Sequence, residues 1–175
     1  MLIIYAILIV CVLIAAIYDA AIQKIPNWIS LIIVVSGLSW NYFSIEGLGL
    51  RASIAGLVAG LFFMLPGYIF ASMGAGDAKL MAAIGSVVGL NEVLDVVLYS
   101  YIAMLVLAFA FLTLKGDVVK LLRRYKVLVC GLFRGAWCYQ KPGKSDAARN
   151  RMPLAPAIAM ATIYVLYPDI CKMSL

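Results

Sequence analysis

The chain contains no histidine, and only 13% of its 175 residues are charged. The first absence excludes imidazole acid–base catalysis and histidine metal ligation. The second excludes an ordinary soluble domain, because such domains carry about a quarter charged residues. Cysteine is sparse as well. Cys11, Cys130, Cys138 and Cys171 form no C-x-x-C pair, so a zinc site is not expected. No long polar segment is present that could fold as a separate soluble domain.

What fills the chain instead is apolar: 66% of it is hydrophobic. Uncharged runs cover Met1–Tyr18, Trp28–Ser44, Ala52–Gly76, Leu80–Asn91, Val96–Leu114 and Met152–Pro168. Most approach the roughly 17–25 residues that a membrane-crossing helix needs. They show no strand-like alternation, and a backbone in lipid must satisfy its own polar groups, so they read as helices. Met1–Tyr18 lacks a basic start and a clear cleavage site, and reads as a retained first span rather than a signal peptide. Pro66-Gly67 within the third run predicts a kink.

Charge sets the topology. If the short run Leu80–Asn91 spans, 12 of the 14 basic residues fall on one side, with only Arg51 and Lys172 opposite. Basic residues mark the cytoplasmic side. The expected fold is therefore all-α and polytopic, about six transmembrane helices with both termini outside. A single membrane-embedded domain would cover residues 1–175, with a basic cytoplasmic loop at 115–151. Within that loop, Asp117 to Trp137 reads as an amphipathic helix on the anionic leaflet. The net charge of +6 belongs to this asymmetry and not to nucleic-acid binding.

Two acids stand out. Asp19 ends the first run, and Asp77 follows Gly74-Ala75-Gly76 at the end of the third. Two complete spans separate them, so both lie on the same, inner face. A carboxylate at membrane depth is costly, about 2.5–3.5 kcal/mol at a helix centre, and invites a functional reading. Two carboxylates a few ångström apart cannot both ionise easily. Such a pair can activate a water with one member and protonate a carbonyl with the other, as in aspartic proteases. Other readings of the same residues stay open at this level. Asp77 is also a plain helix N-cap, with Asp19 an interfacial charge near Lys24. An ion- or proton-coupled transporter would also use intramembrane acids, and a non-catalytic membrane protein would use neither.

Gly74-Ala75-Gly76-Asp77-Ala78-Lys79-Leu80 resembles the G-x-G-D-x-K-L motif of bacterial type IV prepilin peptidases. Asp19 leading into Lys24-Ile25-Pro26-Asn27 looks like that family's first motif, and Met152-Pro153-Leu154-Ala155-Pro156-Ala157 resembles the start of its last span. The resemblance implies a membrane aspartic endopeptidase in the bacterial inner membrane. Its members remove the short basic leader of prepilins and pseudopilins at the cytoplasmic face. It implies Asp19 and Asp77 as the catalytic pair, and Gly74, Gly76, Lys79, Pro26 and Asn27 as substrate-binding or site-shaping residues. No metal and no cofactor is implied. The partners would be the prepilin and the surrounding lipid, and the oligomeric state is open. The larger members carry a four-cysteine cytoplasmic region and N-methylate the new terminus. The compact form here looks like the enzymes accompanying Tad/Flp pili, with peptidase activity and no methylation expected.

Overall fold

The computed structural model describes residues 2–44, 47–69, 73–115 and 154–173. Six helices are found among them: α1 (Leu2–Ile22), α2 (Asn27–Phe43), α3 (Leu50–Ile69), α4 (Ala75–Val88), α5 (Leu90–Lys115) and α6 (Ala155–Met173). The described residues contain no strand, so the all-helical expectation holds. Three helices are long and apolar enough to cross a membrane, over Ile3–Ile22, Leu50–Tyr68 and Leu90–Leu107. The basic segment from residue 116 onward, with its expected amphipathic helix, lies outside the described residues. The chain divides into two compact units, one of Met1–Met104 with Pro153–Leu175 and one of Leu105–Met152. In the second unit only the last turns of α5 are described. All that follows concerns the first.

In α1 two stripes separate by helical spacing. Ile3, Ile7, Val10 and Ile17 are exposed, whereas Tyr5, Leu8, Val12 and Ala15 are buried. Asp19 falls next on the buried stripe, four residues after Ala15, which is why an acid here goes inward. The helix does not stop at this residue. It runs on through Ala20-Ala21 to Ile22, one turn past the expected end at Tyr18. Alanine is the strongest helix former, and the run of two extends the helix after the last apolar position. Gln23 closes it at φ 56°, with its N–H on the Asp19 carbonyl at 2.8 Å. A left-handed residue after the last turn is a common helix stop.

α4 is the centre of this unit. It packs against α1, α2, α3 and α6. Every residue from Leu80 to Val88 is buried. At 14 residues it is about 21 Å long, short of the ~30 Å apolar thickness of a bilayer. Its burial is made possible by small residues, which let backbones approach. A Cβ added to Gly56 of α3 would lie 2.7 Å from the Gly89 carbonyl carbon. One added to Gly60 would lie 2.6 Å from the Met81 oxygen, and one on Gly37 of α2 would lie 2.8 Å from Val87 Cγ2. Gly56 and Gly60 thus form a G-x-x-x-G edge on which α4 rests.

The far end of α4 is closed by polar side chains. The buried Asn41 donates through Nδ2 to the carbonyls of Ser86 (3.1 Å) and Val87 (3.3 Å), and its Oδ1 accepts from Leu48 N–H at 3.0 Å. Ser53 Oγ also donates to the Ser86 carbonyl. These bonds satisfy the carbonyls that a helix end leaves open. Gly89, at φ 84°, then turns the chain straight into α5 at Leu90, six residues ahead of the uncharged run that begins at Val96. Pro66 lies inside α3, where the sequence places it.

Gly56→Ala should lower the apparent Tm in detergent, at a cost of about 1–3 kcal/mol, because the new carbon meets backbone that cannot yield. Val58→Leu, on an exposed position of the same helix, should stay within about 0.5 kcal/mol of the parent. Equal melting of the two variants would contradict the close α3–α4 approach.

Candidate active site

The first turn of α4 is built by its own sequence. Gly74 is the N-cap, and Asp77 is the third helical residue. Asp77 N–H donates to the Gly74 carbonyl at 3.1 Å, and Gly74 N–H donates to Asp77 Oδ2 at 3.0 Å. The carboxylate therefore reaches back to cap its own helix, the side-chain half of a capping box. Its charge also sits at the positive end of the helix dipole.

The two glycines before Asp77 do different things. Gly74 has ordinary extended dihedrals (φ −82°, ψ 152°), and a Cβ there would meet Asp77 Oδ2 at 3.4 Å and Gly76 N at 3.9 Å, both ordinary contacts. Gly76 is the tight position, because a Cβ on it would lie 3.1 Å from Ile25 Cβ. Ile25 belongs to the turn between α1 and α2. The glycine thus lets that turn sit directly on the start of α4.

A second link joins the same two segments. Lys79 Nζ donates to Asn27 Oδ1 at 3.2 Å, on the exposed side. Asn27 opens α2 behind its N-cap Pro26, whose φ of −64° and ψ of 129° set the entry of the chain. Pro26, Asn27, Gly76 and Lys79 are therefore gathered at one junction, between the α1–α2 turn and the head of α4.

Asp19 arrives from α1. It is 7% exposed, and Asp77 is 5% exposed. α1, which carries Asp19, packs against α4, which carries Asp77. Asp19 Oδ2 accepts the main-chain N–H of Ala155 at 3.0 Å, across 136 residues of sequence. Ala155 is the first residue of α6. Each carboxylate is thus held through one oxygen by a main-chain N–H at the head of a helix, and neither hydrogen bond comes from a cation. Asp77 Oδ1 is buried and has no hydrogen-bond partner among the described residues. An unmet buried acceptor is expensive and is kept where it is used. No group of three or more Cys, Asp or Glu side chains gathers among the described residues as a metal site would.

The Ala155 amide is the part of the site that residue types do not disclose, since any residue but proline carries it. The only sequence signal is Pro156, which marks the head of a helix.

Replacing Gly76 by alanine sets two effects against each other. Inside a helix the change is worth about 0.5–1 kcal/mol, but here the new carbon crowds Ile25. Gly76→Ala should destabilise the parent protein and stabilise the Ile25→Ala variant, read by thermal melting. The same effect in both backgrounds would mean that the two residues do not meet.

The profile of the type IV leader peptidase family matches residues 6–109. The match takes in most of α1, all of α2 to α4, most of α5 and both aspartates, and it ends before α6. No curated protein and no solved structure matches the chain. A match that spans more than half of the sequence, laid over an all-helical protein with three membrane-length apolar helices, places the chain in the type IV leader peptidase family.

Proposed function

We propose that the protein is an aspartic endopeptidase of the bacterial inner membrane, cutting the short basic leader from type IV prepilins or pseudopilins of the Flp-like kind. The cut falls at the cytoplasmic face, with both termini of the enzyme outside. The observation that carries this reading is the pair of buried carboxylates, Asp19 and Asp77, each fixed through Oδ2 by a main-chain N–H. The family supplies the leader-peptidase class.

In the proposed reaction the pair holds one proton between two groups that feel each other's charge. The ionised member takes a proton from water as the water oxygen attacks the scissile carbonyl carbon. The protonated member gives its proton to the carbonyl oxygen. The tetrahedral diol then collapses, the C–N bond breaks, and the leaving amine takes a proton from the pair. A new carboxyl and a new amino terminus result, and no electrons are exchanged with a third partner. Asp77 Oδ1, with no hydrogen-bond partner among the described residues, is suited to face the water or the carbonyl. Lys79 and Asn27 close one side of the junction, Pro26 fixes its turn, and Gly74 and Gly76 shape the backbone beside Asp77. An acidic pair at the cytoplasmic face also suits a substrate whose leader is basic.

The test is co-expression of a Flp-type prepilin in membranes with the parent enzyme, Asp19→Asn or Asp77→Asn. The parent should shorten the prepilin. Each variant should insert normally and lose at least about 100-fold in rate, the lower end of what a positioned acid or base contributes. Cleavage retained by either variant would remove the pair from the mechanism. An uncut prepilin beside an active proton flux would favour the transporter reading. Cleavage by the parent should also survive a chelator, and a loss restored by added metal would contradict the aspartic mechanism.

A further inference from the structure

The family match ends at residue 109 and says nothing of α6, yet α6 supplies the hydrogen bond that holds Asp19. We propose that the main-chain N–H of Ala155 is a positioning group of the active site, and that docking of α6 on α1 sets the catalytic geometry of Asp19. The proposal rests on the peptidase reading above.

The two aspartates differ in where their holders come from. Gly74, which holds Asp77, is three residues away at the head of the same helix, so α4 carries its own aspartate in place. Asp19 sits in the last turns of α1, and its holder belongs to the far end of the chain. Nothing local to α1 is seen to fix its carboxylate.

The head of α6 is arranged to offer this one donor. Ala157 N–H and Ile158 N–H both turn back to the Leu154 carbonyl, at 3.0 and 3.3 Å. Residue 156 is proline and has no N–H. The Ala155 N–H is left over, and it meets Asp19 Oδ2. An orphan amide at a helix head and an anionic oxygen satisfy each other, and the contact is sheltered: Ala155 is fully buried, as are Ala157 and Ile158. The second, independent mark of a reacting centre is Asp77 Oδ1, buried and unpartnered among the described residues, on the helix against which α1 packs. With one Asp19 oxygen tied to α6, the carboxylate is aimed rather than free to rotate. A misaimed group in a site of this kind costs rate without costing substrate binding.

The test removes the N–H alone. Alanine at 155 is replaced by lactic acid, which turns the amide into an ester and keeps the side chain. The same exchange at Ala157 removes an N–H that serves only the Leu154 carbonyl, two residues on in the same turn. Initial rates of prepilin cleavage are measured for the parent and both esters, with the amount of inserted enzyme determined for each.

The expected result is a fall in kcat of about 10- to 100-fold for the ester at 155, the value of a hydrogen bond to a charged group, with KM unchanged. The ester at 157 should keep kcat within about twofold of the parent, well short of that loss. A 155 ester with the kcat of the parent overturns the proposal. So does an equal loss at 155 and 157, which would make the N–H merely structural. So does a rise in KM alone, which would assign the amide to the substrate. A parent enzyme that leaves prepilin whole overturns the peptidase reading and this one together, whereas a cutting parent with an unaffected 155 ester overturns this one alone.

Discussion

Two carboxylates buried among apolar helices are the constraint to which the rest of this structure answers. A buried ionisable group without partners is costly enough to unfold the region around it or to lose its charge. Among the described residues this cost is met with backbone rather than with cations. Gly74 N–H serves Asp77 and Ala155 N–H serves Asp19. Lysine or arginine in either place would have neutralised the pair and tied up the oxygens. A main-chain amide takes one lone pair and leaves the second oxygen to other work. Oδ1 of Asp77 is that second oxygen, buried and unmet among the described residues, inside the packing around α4.

That packing is centred on α4, whose head carries Asp77 and whose tail is locked by Asn41 and Ser53. Small residues allow it. Gly37, Gly56 and Gly60 bring α2 and α3 against the α4 backbone at distances that no side chain would permit. Van der Waals contact at short range is the main force available between helices in lipid, where the hydrophobic effect no longer drives association. The fixed tail gives the head a defined position. The α1–α2 turn then rests on that head through Ile25 on Gly76 and Asn27 on Lys79. α1 and α6 close the arrangement from the other side, through Asp19 and Ala155.

Much of this was legible in the sequence. Uncharged runs gave the helices. Pro26 signalled the start of α2, and Pro66 fell inside α3 as read. Other features were not legible, for identifiable reasons. The end of α1 was read at its first charge, but a charge ends a helix only where it must stay in water. Asp19 has a buried partner, so Ala20-Ala21 carries the helix on. α5 starts ahead of its uncharged run, because Glu92 and Asp95, which precede that run, lie in its first turns. Acids there favour the helix dipole. The roles of Gly56 and Gly60 depend on which face of α3 meets α4, and spacing within one helix does not give that. The Ala155 amide is invisible in residue types altogether. The basic segment after α5, read as an amphipathic helix, falls outside the described residues.

The central claim is that Asp19 and Asp77 act as one coupled unit and not as two separate buried acids. The most direct measurement is an infrared titration of the carboxyl stretches in membranes, comparing the parent with Asp19→Asn and Asp77→Asn. The account predicts that removing either aspartate changes the titration of the one that remains, because protons bind to a coupled pair in shared steps. If the remaining aspartate titrates as it does in the parent, the two are independent, and the shared-proton site does not exist.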